Sequence, residues 1–438
     1  MNIETGKSLW NKAKKLIPGG TQLLSKRSEM FLPDQWPSYY KKAKGVEIWD
    51  LDGNKFIDMS IMGVGACILG YADKDVNEAV KRVIDDGSMA TLNSPEEVEL
   101  AEVLLKIHPW AEAVRYARTG GESMAIAVRI ARAHSKKDKL AFCGYHGWHD
   151  WYLSSNLADN ANLDGHLLPG LDPNGVPRGL IKTAIPFEYN NIAKLESIVK
   201  ENENEIGAIV LEPFRHQIPQ NNFLKKVREI ADDIGAVLIF DEITIGWRLT
   251  VGGVHLLYDV NPDIMVTGKA FSNGYPMAAI IGKREIMDAA QTSFISSTYW
   301  TERVGPTAAI ATIKKLQKNN VPAHLDKIGG MIAQGWKDLA SKNGLNISIL
   351  PPNALVTFSF NYENSQEIKT LFTQEMLKRG FLASNSVYVS YCHTTNYVDK
   401  YLNKVDEVFG IIKKAIDQKN VINLLNGPIA HTGFRRLT

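Results

Sequence analysis

An acid and an amine follow two short apolar runs in the middle of the chain. The run AVLIF (236–240) leads directly to Asp241, and the run IMV (264–266) is soon followed by Lys269. Ligands of an open parallel α/β sheet bind outside the carboxyl ends of its strands, so we expect both groups to face one crevice. The pair suits pyridoxal phosphate (PLP) chemistry. There, a lysine forms a Schiff base with the aldehyde, and a carboxylate keeps the pyridine nitrogen protonated.

The segments around this pair alternate between strand and helix patterns. Apolar runs at 113–117, 139–143 and 206–212 predict strands, and apolar residues at helical spacing over 122–135 and 222–235 predict helices. This alternation predicts an α/β fold with a mostly parallel sheet and helices on both faces. From about residue 320 the pattern changes to that of a smaller α+β domain. We therefore divide the chain into an N-terminal segment (1–70), a large domain (71–320) and a small domain (321–438).

The N-terminal segment is predicted to be mixed in structure. Leu9, Ala13 and Leu16 are spaced like one face of a short amphipathic helix, and residues 18–45 have the Pro, Gly and aromatic content of irregular structure. An Asp-Gly turn within VEIWDLDGNKFIDM predicts a β-hairpin. Two helices are then predicted over 73–87 and 96–109.

Composition excludes several classes of protein. The 438 residues carry 50 basic and 48 acidic side chains, a net charge of +2, so no global charge favours nucleic acid or a membrane surface. No apolar run approaches the ~18 residues of a membrane span, and the N-terminus lacks the apolar stretch of a secretory signal. The three cysteines are far apart, as in a reducing compartment. We expect a soluble cytoplasmic protein.

Two glycines at a predicted strand-to-helix turn form a candidate anion site. Gly120 and Gly121 follow the strand at 113–117 and open a helix, whose first N–H groups and dipole attract anions. An ordinary turn with a helix cap explains the same residues. His146, His149 and Asp150 lie close together in the sequence, but no second ligand cluster supports them and we expect no metal.

Several motifs resemble those of a known family. DEITIGWR (241–248) resembles the D-E-x-x-x-G-[FW]-R signature of class III aminotransferases, and TGKAFSNGYPMAAIIGK (267–283) resembles the block around their cofactor lysine. The motifs follow the family's order from PGG at 18–20 to CHT at 392–394, and several resemble the glutamate-1-semialdehyde 2,1-aminomutases in particular. The resemblance implies a fold type I PLP-transferase whose N-terminal segment packs with the small domain and the active site.

The resemblance also implies roles for individual residues. Asp241 accepts the pyridinium N–H, and Lys269 carries the cofactor and removes the substrate α-proton. The TGGES stretch stands where the family has S-G-[TS]-E-A, which binds the phosphate. Further cofactor contacts are implied for Gly120, Gly121, Tyr145 (stacked on the ring), His146, Glu212, Gln217 (one methylene longer than the aminomutase Asn), Ile243 (on the other ring face) and Thr298. In the family a Thr at the last position reaches the neighbouring subunit's cofactor, which implies a homodimer with shared active sites.

The substrate pocket departs from that of the aminomutases. Their carboxylate-binding GGVNSPVR-like stretch is replaced by GGTQLLSKR, and Asn385 stands where they carry a glutamate. Lys26, Arg27 and Arg215 remain alternatives for a substrate acid group, and Trp148 would narrow the pocket. The aromatic residues Tyr299, Trp300, Tyr388 and Tyr391 would suit a sugar-like substrate, although aromatics are also common in protein cores.

Three functions stay open from the sequence. The first is an aminotransferase that moves an amino group from a small-molecule donor, possibly L-glutamate, to a keto-sugar or a keto or semialdehyde acid. The second is an aminomutase, which needs no external donor. The third is a cofactor-binding protein without turnover, against which the intact pair of Asp241 and Lys269 speaks.

Overall fold

The structure is a computed structural model that describes residues 2–166, 168–434 and 437. It divides into two compact units. One joins the two ends of the chain, Met1–Asp73 with Ala323–Thr438, and the other is the middle of the chain, Lys74–Pro322. Within the described residues, no helix is long and apolar enough to cross a membrane.

The helices and strands follow in chain order. Up to residue 73 they are α1 (Glu4–Leu16), β1 (Tyr40–Lys44), β2 (Glu47–Asp50) and β3 (Lys55–Met59). The first part of the middle unit holds α2 (Lys74–Asp85), α3 (Pro95–Ile107), β4 (Ala113–Ala117), α4 (Gly120–Ser135), β5 (Lys139–Cys143), α5 (Asp150–Leu153), β6 (Ala184–Pro186), α6 (Ile192–Glu201) and β7 (Ile206–Leu211). Its second part holds α7 (Phe223–Asp233), β8 (Val237–Asp241), α8 (His255–Tyr258), β9 (Ile264–Thr267), β10 (Ala278–Gly282), α9 (Arg284–Met287) and α10 (Val304–Lys318). The remainder comprises α11 (Val321–Asn343), β11 (Ile347–Leu350), β12 (Leu355–Phe360), α12 (Ser365–Lys378), β13 (Phe381–Ala383), β14 (Ser386–Tyr388) and α13 (Thr395–Asp417).

A seven-stranded sheet forms the centre of the middle unit. Its strand order is β4-β10-β9-β8-β7-β5-β6. The five strands from β9 to β6 are parallel, and β10 runs antiparallel to both of its neighbours. The predicted α/β class with a mostly parallel sheet is therefore confirmed. Neighbouring parallel strands bring their carboxyl ends to one edge of the sheet, which is where ligands bind in such folds.

Helices cover both faces of this sheet. Leu140 and Phe142 of β5 pack with residues of α4 in one buried cluster, whereas Ala141 and Cys143 pack with residues of α6 and α7 in another. Successive side chains of a strand point to opposite faces, so each strand contributes to both cores. This explains why the central strands are mostly apolar rather than alternating between apolar and polar residues.

The other unit contains two smaller sheets. One has the order β1-β2-β3-β13, so the predicted hairpin of β2 and β3 pairs with a strand from the C-terminal part of the chain. The second is the antiparallel sheet β11-β12-β14. Around it Trp336, Phe358, Phe372 and Phe409 pack ring against ring.

Two details of the N-terminal prediction were wrong. In α1, Trp10 and Ala13 are buried, whereas Leu9 and Leu16 are 39% and 69% exposed. Trp10 lies on the buried side of α1, because this position lets its ring be buried while its indole N–H donates to Glu29 at 2.9 Å. Residues 40–44, predicted to be irregular, form β1. This strand is YKKAK, and its lysines and exposed position are typical of an edge strand, which lacks apolar alternation.

Candidate active site

Candidate functional residues at the ends of five strands meet at the carboxyl edge of the central sheet. Lys269 follows β9, Asp241 ends β8, Glu212 follows β7, His146 follows β5, and Gly120 follows β4. A Cβ atom on Gly120 would lie 3.1 Å from Ile243, and Gly144 allows the backbone to approach Glu212. The two glycines thus let separate strand ends come into contact, as a shared site requires.

Asp241 is buried and hydrogen-bonded within its own unit. One carboxylate oxygen accepts from Nδ1 of His146 at 2.8 Å, and the other accepts from the backbone N–H of Ile243 at 3.0 Å. The second ring nitrogen of His146 faces the carbonyl oxygen of Cys143 at 3.2 Å. Both ring nitrogens therefore face oxygen atoms that can accept a hydrogen bond. His146 thus fixes the orientation of the Asp241 carboxylate.

The amine of Lys269 is buried at the same edge. Nζ donates to the hydroxyl of Thr244 at 2.9 Å. Burial, reinforced by the charge of Arg215 and opposed by Asp241 and Glu212, lowers the pKa of Lys269 to about 8. Both protonation states are accessible near neutral pH, which a group that gives and takes protons needs. Lys269 also has a left-handed backbone (φ +48°), and such strain at a non-glycine residue is typical of functional sites.

A buried ion pair lies beside the lysine. Nη1 of Arg215 donates to both oxygens of Glu212, at 2.8 and 3.0 Å, and the backbone N–H of Tyr145 donates to one of them at 3.1 Å. Burial alone would raise the pKa of Glu212, but Arg215, His146 and these hydrogen bonds outweigh it and lower that pKa. Arg215 and Gln217 also line a cavity of about 790 Å³ next to Glu212.

The start of α4 forms a concave, donor-rich surface. Thr119 and Glu122 make a capping box, which leaves the first N–H groups at Gly120 and Gly121 without a partner inside the helix. A Cβ on Gly121 would lie 3.0 Å from the ring of His149 and 3.2 Å from Nε1 of Trp148. Nε2 of His149 is buried and has no hydrogen-bond partner among the described residues. An anion placed here would meet the helix start and this free ring nitrogen.

No described hydrogen bond joins Gln217 or Thr298 to Asp241 or Lys269, whereas Trp148 lies at the start of α4. Gln217 is exposed, and its side chain accepts from Asn190 at 3.5 Å. Thr298 lies on an exposed 3₁₀ turn, Thr298–Thr301. Trp148 is 68% exposed and stacks on His149 with ring centroids 4.3 Å apart. Arg27 belongs to the unit formed by the chain ends, where it lies 5.8 Å from the ring of Phe434.

Three residues of this geometry were not assigned these contacts from the sequence, where His149 was considered only as a possible metal ligand. They are Thr244, His149 and Arg118, and the last donates to the backbone oxygens of Trp300 and Glu302 at 3.0 and 2.8 Å. One sequence feature could have pointed to Thr244, because this residue directly follows Ile243 in the turn after Asp241. For His149 and Arg118 the sequence had none, since their partners come from distant parts of the chain. In the part of the chain that the structure describes, no group of His, Cys, Asp and Glu could hold a metal ion.

Comparisons with known proteins identify the family and agree with the fold. A family model described as Aminotransferase class-III matches residues 33–416. The 3-aminobutyryl-CoA aminotransferase of Cloacimonas acidaminovorans is 28% identical over 95% of this chain and 99% of its own length. The glutamate-1-semialdehyde 2,1-aminomutase of Methanothrix thermoacetophila is 31% identical over 92% and 96%. Among solved structures, the PLP form of the Sphingopyxis FumI protein has a TM-score of 0.85 at 24% identity, covering 94% of this chain and 97% of that one.

Proposed function

Because the chain belongs to the class III aminotransferase family, we propose that it is a PLP-dependent aminotransferase. It moves an amino group from a small-molecule donor, L-glutamate being the first to test, to a carbonyl acceptor. The observation that carries the proposal is the pair at neighbouring strand ends. Asp241 is held by His146 at 2.8 Å, and Lys269 has a buried amine with a pKa of about 8.

The residues present fit the cofactor. The start of α4 and the free ring nitrogen of His149 match a phosphate group, Asp241 matches a pyridinium N–H, and Tyr145 and Ile243 offer flat or apolar surfaces for a ring. When bound, PLP supplies an electron sink for the charge left at the substrate carbon that loses its proton. Nζ of Lys269 takes that proton and returns it, and the Asp241 carboxylate is held in one orientation because His146 and the Ile243 N–H contact both of its oxygens.

His149 supplies the first prediction. Replacing His149 with alanine removes the ring nitrogen that faces the start of α4, so we expect the Kd for PLP to rise about tenfold, the loss of roughly one hydrogen bond to a charged group. The measurement is fluorescence titration of the apoprotein with PLP and, as a matched ligand, with pyridoxal, which lacks the phosphate. An equal loss for both ligands would contradict a phosphate role for His149.

The ion pair of Arg215 and Glu212 gives a stability prediction. Arg215→Met leaves Glu212 buried without its cation, and we expect this to destabilise the protein by about 3 kcal/mol at pH 7. Since Arg215 lowers the pKa of Glu212, the pair stabilises the fold above the usual glutamate pKa, and that contribution is lost as the pH falls through the lowered value. The gap between wild type and variant should therefore shrink in acid. Urea midpoints from pH 7 down to pH 3, with Glu212→Gln/Arg215→Met as the matched control, test this, since the series passes below the usual glutamate pKa of 4.5.

The acceptor is proposed only as a class. Arg215 is the cation beside Lys269, and an acid group on the substrate could replace part of its contact with Glu212. A keto or semialdehyde acid is therefore our first candidate and a keto-sugar the second. A screen of carbonyl compounds with and without a carboxylate, compared in wild type and Arg215→Lys, separates them, because only acids should lose affinity in the variant.

An aminomutase is the second candidate function. The Methanothrix relative, 31% identical, carries that name. The two activities differ in their need for a donor: an aminotransferase forms no product without one, whereas an aminomutase converts glutamate 1-semialdehyde alone. Product formed from that compound without added donor would reject the aminotransferase.

We further propose a homodimer in which Thr298 reaches the partner's site. Support comes from the exposed turn of Thr298–Thr301, next to backbone that Arg118 holds through the oxygens of Trp300 and Glu302. Light scattering that gives the mass of one chain, 48.7 kDa, at micromolar concentration would contradict it.

The visible spectrum of the purified protein tests the main proposal. We expect a yellow protein whose band bleaches toward the pyridoxamine phosphate form when L-glutamate is added. A band that glutamate leaves unchanged would direct the search to other donors or to the aminomutase. A colourless protein that takes up no PLP would reject the cofactor and the function together.

A further inference from the structure

The hydroxyl of Thr244 is the described hydrogen-bond partner of the Lys269 amine. Nζ and Oγ1 are 2.9 Å apart, and Thr244 is 7% exposed. Thr244 is buried and Lys269 is half-buried, so this contact replaces part of the hydration that a free amine would otherwise have. A hydroxyl has one proton to donate and two lone pairs, so it can accept from an ammonium group and donate to a neutral amine. Thr244 can therefore serve both protonation states of the lysine.

The turn that carries Thr244 is fixed by several independent hydrogen bonds. Its backbone oxygen accepts from Nε of Arg248 at 2.7 Å, and the N–H of Gly246 donates to the oxygen of Glu242 at 2.8 Å. The carboxylate of Glu242, fully buried, accepts from the backbone N–H groups of Val254 and His255 at 2.9 and 3.0 Å. These contacts determine where the hydroxyl lies.

The same turn is tied to the strand that precedes the lysine. The indole N–H of Trp247 donates to the hydroxyl of Thr267 at 2.8 Å, and Thr267 is the last residue of β9, two positions before Lys269. Both Trp247 and Thr267 are fully buried. The distance between Oγ1 of Thr244 and Nζ of Lys269 is therefore set by β8, β9 and the hydrogen bond of Trp247 with Thr267, rather than by two freely rotating side chains.

We propose that Thr244 is a positioning residue that holds the amine of Lys269 whenever this amine is not bonded to the cofactor, and keeps it in place for proton transfer at the substrate carbon. The inference rests on the proposed function, in which the amine is released and recaptured in every cycle. Without the hydroxyl, a buried amine on a four-carbon chain would sample other rotamers and lose the alignment that efficient transfer requires.

Besides this hydroxyl, four charged groups affect the pKa of Lys269. Arg215 and Arg248 disfavour its ammonium form, and Asp241 and Glu212 favour it. All four remain when Thr244 is replaced, so an effect of the replacement can be assigned to the hydroxyl. Because an ammonium group gains more from an acceptor than a neutral amine does, losing the hydroxyl should lower the pKa of Lys269 below its present value of about 8.

The experiment compares Thr244→Val, which keeps the shape, with Thr244→Ser, which keeps the hydroxyl. The full-length enzyme is loaded with pyridoxamine phosphate, which leaves Lys269 free, and modification of Lys269 by an amine-reactive reagent is followed by mass spectrometry from pH 6 to pH 10. We expect the midpoint for valine about one pH unit lower. At pH 7 labelling should then be about fivefold faster, because about half of the amine would be neutral instead of about a tenth. In turnover, kcat for valine should fall about tenfold with KM unchanged, and serine should stay near wild type.

Thr312→Val is the matched control, since it removes another fully buried hydroxyl of the same unit, bonded to the oxygen of Ala308 in α10. It should leave the labelling profile of Lys269 unchanged.

A Thr244→Val profile that coincides with wild type would overturn the proposal. If the valine variant does not fold, Thr244→Ala is read in the same way. A chain that binds neither form of the cofactor rejects the proposed function instead. In that case, labelling of Lys269 in the cofactor-free full chain, compared between wild type and variant, tests the contact between Thr244 and Lys269 separately.

Discussion

Lys269→Ala is expected to lower amino-transfer turnover by at least about 10³-fold, the upper part of the range for loss of a positioned proton-transfer group that also bonds the cofactor. The reason lies in the surroundings of Nζ, because a buried amine with a pKa of about 8 can both take and return a proton near neutral pH. The hydroxyl of Thr244, the only hydrogen-bond partner of Nζ among the described contacts, cannot replace the amine as a base.

The measurement for Lys269 is single-turnover kinetics with L-glutamate, read in the visible band. Lys225→Ala is the matched control, since it removes an exposed lysine of α7 and should leave the rate unchanged. Lys269→Arg keeps a positive charge but has no readily deprotonated nitrogen, so it should fail like alanine. An alanine variant within tenfold of wild type would mean that another group moves the proton.

Asp241→Asn is expected to lower kcat by about 10²–10³-fold, a loss comparable to the removal of one preorganised electrostatic group. Asparagine keeps the size of the side chain and the acceptor for the Ile243 N–H, but it removes the negative charge. It also places an uncharged amide against Nδ1 of His146, which now lies 2.8 Å from a carboxylate oxygen. The effect should therefore fall on turnover more than on folding.

Asp263→Asn provides the control for burial of an aspartate. Asp263 is also buried and accepts from Arg228 at 2.9 Å and from Lys283 at 2.7 Å, but it precedes β9 at the opposite end from Lys269. We expect this variant to lower the urea midpoint while kcat of the folded enzyme stays near wild type. If Asp241→Asn lost stability but kept its kcat, Asp241 would be a structural carboxylate and the cofactor assignment would need revision.

Much of the middle unit could be predicted because its determinants are local. The strands at 113–117 and 139–143 were predicted with the bounds that the structure has, since apolar runs flanked by polar turns need no distant partner for recognition. The α/β class followed from their alternation with helices. Two elements show where this reasoning ends: β1 is a charged edge strand, and the buried side of α1 depends on the contact of Trp10 with Glu29.

The sequence by itself determined the family, the fold class and the two residues on which the proposed chemistry rests, because each depends on residue types in a fixed order along the chain. Tertiary structure decided how those residues are held. His146 engages Asp241 across 95 positions, and Thr244 engages Lys269 across 25. His149, from the loop after β5, lies against Gly121, the second residue of α4. The physical reason is that hydrogen bonds and burial depend on distance in space. The spacing of residues along the chain does not show which strand ends lie next to each other. That depends on the sheet order β9-β8-β7-β5, which only the structure gives.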